Sequence, residues 1–143
     1  MQEGAGRYVR PIQPQELVDE DLKWLQKICN IAYYGYKPEH VVAGAITKDK
    51  QLWRLRGEGL EGLAVTILIE HPAGNELLVW GLAGRGYLRN FDRVLQDFKS
   101  YMGQHSIKWL TGLARKAEFG AEHERIGAKK IGSMYTLELK EET

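Results

Sequence analysis

The side chains that exchange protons near neutral pH are four histidines, His40, His71, His105 and His123. They are widely spaced, with no HxH, HExxH or paired CxxC pattern, so no metal site is expected. Ser100, Ser106 and Ser133 lack the glycine-flanked elbow of a serine nucleophile. Cys29 falls on the apolar side of a helical pattern and reads as a small buried hydrophobe rather than a nucleophile. No GxxxxGK[ST] loop occurs, and the Gly-Arg-Gly at 84–86 is too short for a dinucleotide fingerprint.

Charge adds one direction. Residues 85–130 carry 10 Lys/Arg against 5 Asp/Glu, a surplus of +5, whereas residues 1–84 carry 9 against 11. A basic segment of this kind can attract a phosphate-bearing ligand. It can equally be the solvated faces of two helices. Nucleic-acid binding is the weakest reading, because the whole chain is near neutral at +1.

These residues must be positioned by a mixed set of elements. Tyr8–Ile12 alternates as a short strand, and Pro14 breaks it. From Gln15 to about Tyr34, Leu17, Val18, Leu22, Leu25, Ile28, Cys29 and Ala32 recur at helical spacing, with Gly35 as the stop. Residues 36–50 contain a turn at Lys37-Pro38 and a short helical or irregular piece over His40–Ile46. QLWRLR (51–56), LAVTILIE (63–70) and ELLVWGL (76–82) read as three strands joined by short turns, an antiparallel meander. AGRGYL (83–88) reads as a loop. Phe91, Val94, Leu95, Phe98 and Met102 then line one face of a helix ended by Gly103. Ile107–Ala114 is a strand, Glu118–Ile126 a short helix and Met134–Leu139 the last strand. Trp24, Trp53, Trp80 and Trp109 fall in these elements as core or groove-lining residues.

The length of 143 residues and the 43% hydrophobic content suit one domain, 1–143, with a real core. The first ten residues lack the apolar stretch of a signal peptide, and the longest apolar run, Ala64–Ile69, is far too short to span a bilayer. A soluble protein of a reducing, cytoplasmic setting is expected.

The order β-α-βββ-α-β-α-β resembles the GCN5-related N-acetyltransferase (GNAT) fold, and the resemblance covers nearly the whole chain. VRPIQPQEL near the start is similar to the family's opening strand, proline and helix. HERIGAKKIGSMYTLEL near the end is similar to its closing motif, with Ile126-Gly127-Ala128 as the triplet and Ala128 in place of the customary aromatic residue. The resemblance implies an α+β (α/β) acyl-CoA N-acyltransferase fold, a central mixed and mainly antiparallel sheet flanked by helices. It also implies that acetyl-CoA lies where strands 76–82 and 107–114 splay apart, with its pyrophosphate on the amides that start the next helix. Leu82, Ala83, Gly84, Arg85, Gly86 and Arg89 are then the cofactor-binding candidates.

The loop departs from the family's Gln/Arg-x-x-Gly-x-Gly/Ala pattern. Alignment on the helix that follows puts Arg89 and Phe91 at the two close-approach positions, where a phenylalanine would fill space the pyrophosphate needs. Either the AGRG stretch cradles phosphate or the cofactor site is degraded. For catalysis, the family often places a tyrosine acid four residues before the triplet's glycine, which is His123 here; the same residue also reads as an exposed helix histidine between Glu122 and Glu124. Glu76, Glu70 and His71 are the choices for a base, and the two glutamates can also be solvent-facing carboxylates at the strand edge.

The implied activity is acetyl-CoA-dependent N-acetylation of an amine acceptor of unknown identity. The alternative is an inactive protein of the same fold with a structural or assembly role. The LWRL strand, the glycine-poor helix start and the IGA triplet are similar to GNAT-like proteins of tailed bacteriophages, which makes the virion the alternative location. The tyrosines at 33, 34 and 36 can line an acceptor cleft or a protein interface, so protein partners or a homo-oligomer are allowed.

Overall fold

A nearly continuous apolar run such as that of the central strand over residues 63–69 requires cover on both faces of the sheet, and the computed structural model has a helix layer on each. It describes residues 8–31, 35–113, 125, 129–131 and 134–138. The elements are β1 (Val9–Ile12), a single 3-10 turn (Pro14–Glu16), α1 (Asp19–Ile31), α2 (Pro38–Ile46), β2 (Gln51–Gly57), β3 (Leu60–His71), β4 (Gly74–Arg85), α3 (Phe91–Gln104), β5 (Ile107–Leu113), β6 (Lys129–Ile131) and β7 (Met134–Glu138). Among the described residues the sheet has seven strands in the order β1-β2-β3-β4-β5-β7-β6. Neighbours are antiparallel except β4 and β5, which run parallel with α3 as the crossover between them. No helix among the described residues is long and apolar enough to cross a membrane.

Residues of period two divide between two cores. Trp53, Leu55, Ala64 and Leu77 face α3 and meet Val94, Phe98 and Met102. Leu52, Leu63 and Val65 face the other way, onto Leu25, Ile28 and Cys29 of α1 and Val41 and Ala45 of α2. Trp53 is set edge-on to Phe98 and Tyr101 at 5.0 and 4.6 Å, and its Nε1 donates to Thr66 Oγ1 at 2.8 Å, which leaves no stray donor in that core. Cys29 is buried and unpaired by any disulfide, and burial pushes its thiol up, as expected of a core residue.

Two carboxylates fasten the helices to the sheet. Asp21, 1% exposed, accepts from the Val18 amide at 3.0 Å and so caps the start of α1. It also takes both Nη2 and Nε of Arg54 on β2, at 2.6 and 3.2 Å. Asp97 of α3 accepts from the amides of Tyr8 and Val9, at 2.5 and 2.9 Å, and fixes the start of β1.

The structure alters four boundaries. The helix expected from Gln15 is divided, because Pro14 opens a 3-10 turn and the cap at Asp21 starts α1 only at Asp19. The uncertain stretch after Lys37 is the helix α2, with Pro38 in its first turn. A short strand, β6, precedes the last one and pairs with it as a hairpin. The expected loop at 83–88 begins only after Arg85, because Ala83, Gly84 and Arg85 continue β4 in register with Leu63, Gly62 and Glu61. The expected helix at 118–126 and the triplet 126–128 lie outside the described residues, Arg125 apart.

The last boundary rests on a pair of glycines. Gly62 and Gly84 face each other across β3 and β4, and the strands close onto the space where side chains would stand. A Cβ on Gly84 would lie 2.2 Å from the Glu61 carbonyl oxygen and 2.8 Å from Gly62 Cα, both backbone atoms that no rotamer change can move. Gly84→Ala is therefore expected to destabilise the ligand-free protein by about 2 kcal/mol, read from the urea midpoint. A glycine needed only to cradle a ligand would leave that midpoint where it is.

Candidate active site

The site is organised by what happens to β4 halfway along. Val65 pairs with Gly81 but Thr66 pairs with Val79, so Trp80 is an extra residue, a β-bulge. On the opposite edge, pairing with β5 runs from Asn75↔Ile107 to Val79↔Gly112 and stops there. From Gly81 to Arg85, β4 pairs with β3. Among the described residues no strand pairs with its other edge, where alternate backbone N–H and C=O groups face outward. Such an edge can take an extended, amide-bearing ligand as an added strand would be taken.

The bulge also sets which side chains meet. Trp80 packs toward the α1–α2 core, and the next residue faces the same way: a Cβ on Gly81 would lie 2.3 Å from Ile28 Cγ2. Trp80 meets Tyr36, from the connection between α1 and α2, edge to face at 4.9 Å. His40 is set edge-on to Tyr36 at 6.3 Å, and Lys50 Nζ lies over both Tyr36 and Trp80. Tyr33 and Tyr34 lie outside the described residues.

At the end of β4 the chain turns sharply into α3. Gly86 has φ +79°, and a Cβ there would stand 1.8 Å from the Gly59 carbonyl in the β2–β3 turn. Asn90 closes the turn with its amide and its Nδ2 on Gly86 O, at 3.1 and 2.9 Å. Phe91 is 3% exposed and set edge-on to Tyr87 at 5.5 Å. Burial pushes the Tyr87 hydroxyl far above the ordinary tyrosine range. The Phe91 ring is thus taken up by the core instead of standing free at the mouth of α3. The amides of Asp92 and Arg93 have no partner within the helix, and the helix dipole favours an anion there. Asp92 works against an anion, but its carboxylate is held by Arg125 at 2.7 Å.

The cofactor candidates fall at this end of the sheet. Leu82 packs toward α3 and Ala83 toward α1, with Gly84 and Arg85 completing the strand. Arg85 is paired with Glu61 at 2.7 Å on the surface, and Arg89 is exposed in the turn. Arg93 stacks over Tyr8 at 4.8 Å. A strand edge that no described strand pairs, a helix start and the exposed Arg89 are chemically compatible with the pantetheine and pyrophosphate of a coenzyme A thioester, while Arg85 and Arg93 are engaged by Glu61 and Tyr8.

The base candidates lie at the other end of β4. His71 Nε2 and Glu76 Oε1 are 2.6 Å apart, and the imidazole is edge-on to Trp109 at 5.9 Å. Glu76 is 16% exposed. Glu70 is exposed, opposite Asn75 at the tip of the hairpin, with no part in this pair. Leu77 faces α3, so Glu76 shares the opposite face with Trp80. Four residues of strand separate them by about 13 Å, so a proton passing between the two places needs intervening water. His123 lies outside the described residues. Among the described residues no three His, Cys, Asp or Glu side chains cluster as metal ligands would.

Sequence reasoning missed the Tyr36–Trp80–Lys50 corner. Tyr36 stood out as part of an aromatic cluster, but Trp80 becomes a site residue only through the bulge, which has no sequence signature here.

No protein-family model and no curated protein sequence matches the chain. Solved structures match along most of its length. The ribosomal-protein-S18-alanine N-acetyltransferase of Escherichia coli superposes with TM-score 0.59 at 13% identity, covering 94% of this chain and 96% of that one. An acetyltransferase of the GNAT family from Staphylococcus aureus gives 0.59 at 12% identity, over 92% and 99%. The AtaTR complex, in a structure bound with acetyl-CoA, gives 0.56 at 14% identity, over 92% of each chain. The chain has the fold of the GNAT acetyltransferases.

Proposed function

We propose that this protein is an acetyl-CoA-dependent N-acetyltransferase. The observation that carries the proposal is the β4 edge that no strand among the described residues pairs, running from the Trp80 bulge to the start of α3. The same fold holds acetyl-CoA in the AtaTR structure. Leu82, Ala83, Gly84, Arg85 and Gly86 would offer backbone to the pantetheine arm, and Arg89 with the first turn of α3 would take the phosphates. Bound there, acetyl-CoA supplies an acetyl group activated as a thioester.

The chain's own residues manage protons. A protonated amine is no nucleophile, so its proton must leave first. Glu76, hydrogen-bonded to His71, is the base in this reading and works through water along the face it shares with Trp80. His123 is the candidate acid for the departing thiolate, in the place where the family often has tyrosine. The acceptor is an amine whose carrier is open, and a protein partner is compatible with the exposed surface near Tyr36.

A second reading has one observation in its favour. Gly84 and Gly86 are both consumed by contacts with β3 and the β2–β3 turn, as a scaffold without cofactor would also require. The bacteriophage resemblance belongs with this reading, a structural or assembly protein of the same fold.

Two outcomes separate the readings. Acetyl-CoA at a hundredfold excess over its Kd is expected to raise thermal stability by about 2.7 kcal/mol, and Arg89→Glu to weaken that shift without changing the melting temperature of the free protein. No shift at millimolar acetyl-CoA contradicts the enzyme reading. With an amine that the protein turns over, Glu76→Gln is expected to lower kcat/KM about 100-fold and leave the acetyl-CoA shift intact. An unchanged rate removes Glu76 as the base.

A further inference from the structure

Lys50 follows α2 by four residues, where the chain doubles back. Lys48 has φ +69°, and the amides of Asp49 and Lys50 both donate to Gly44 O, at 2.8 and 3.1 Å. The lysine side chain then runs along α2 over Gly44. A Cβ on Gly44 would lie 3.1 Å from Lys50 Cδ and 3.3 Å from Cγ, so the glycine leaves this path clear. The path ends with Nζ 5.6 Å from the Tyr36 ring centre and 5.6 Å from that of Trp80. Among the described residues no carboxylate lies within ion-pair distance of this ammonium. Two aromatic faces hold the charge instead, a cation–π arrangement.

The place matters more than the contact. Trp80 is the bulge residue, at which the pairing of β4 with β5 ends among the described residues. An amine that is to reach a thioester lying along the free edge of β4 must arrive beside this ring. The Lys50 ammonium already stands there.

We propose that the Tyr36–Trp80 corner is a receptor for the ammonium group of an alkylamine acceptor, and that Lys50 is its built-in competitor. The identity of the ligand as an acceptor rests on the N-acetyltransferase reading, whereas the affinity of the corner for an alkylammonium ion does not. A tethered group acts at an effective concentration on the order of millimolar. A free amine must exceed that to displace Lys50, which biases the corner toward acceptors that bring further contacts of their own.

The test uses the full chain without acetyl-CoA, with n-butylammonium as the probe and n-butanol as its neutral counterpart. The readout is the indole N–H resonance of Trp80, assigned by its loss in Trp80→Phe. In Lys50→Met the resonance is expected to move saturably with n-butylammonium, at about tenfold lower concentration than in the wild type, the scale of a partly desolvated cation–π contact. The alcohol is expected to leave it in place. Lys50→Gln repeats the measurement with a side chain of different polarity, should Lys50→Met fail to fold. Equal titrations of wild type and variants, no saturable shift in either variant, or an equal response to the alcohol overturns the proposal. A positive acetyl-CoA shift beside a negative result here removes the receptor and keeps the enzyme. The reverse pair of results keeps the receptor and removes the enzyme.

Discussion

A strand in the middle of a sheet can bond on both edges only while its twist suits both neighbours. β4 gives up that condition at Trp80. An extra residue of this kind increases local twist, and from that point β4 follows β3, while among the described residues its pairing with β5 ends at Val79↔Gly112. The rest of the site depends on this divergence. It opens the edge that can take a ligand, turns Trp80 toward Tyr36 and Lys50, and aims the end of β4 at the first turn of α3.

The divergence needs a rigid frame, because an unpaired strand edge is a liability that the surroundings must stabilise. β3 provides most of that frame. It pairs with β4 from Gly74 to Arg85 except at the Trp80 bulge, and Gly62 and Gly84 let the two backbones close together where no strand among the described residues pairs the other edge of β4. Asp21 and Asp97 hold the helix layers in place from opposite faces. Asp21 with Arg54 is a buried pair whose two members rely on each other, since loss of either carboxylate or guanidinium leaves the other charge without its partner. Ile28, carried by the helix that Asp21 caps, closes on Gly81 at the bulge.

Much of this was legible in the sequence, and the misses have physical causes. The meander of β2, β3 and β4 is plain from the alternation of QLWRLR, the β-branched and nearly all-apolar run LAVTILIE and the glycine-bearing turns, where the structure gives Gly59 and Gly74 positive φ. The apolar face of α3 is equally plain from Phe91 to Met102. AGRGYL at 83–88 reads as a loop, but of its two glycines Gly84 belongs to close strand contact and Gly86 to a tight bend. Glycine marks missing space in both cases, and only the fold says which atoms use that space. The proximity of His71 and Glu76 follows from the hairpin between them, which sequence does give. The corner of Tyr36, Trp80 and Lys50 joins residues from three separate elements, with Trp80 placed by a bulge that no residue type announces.

The central claim is that the far half of β4, whose outer edge no strand among the described residues pairs, is open to a ligand, and amide hydrogen exchange along that strand tests it most directly. The account predicts slow exchange through Asn75–Val79, fast exchange at alternate amides from Trp80 to Arg85, and protection of those fast amides when acetyl-CoA is added. Uniformly slow exchange along all of β4 in the ligand-free protein would contradict it.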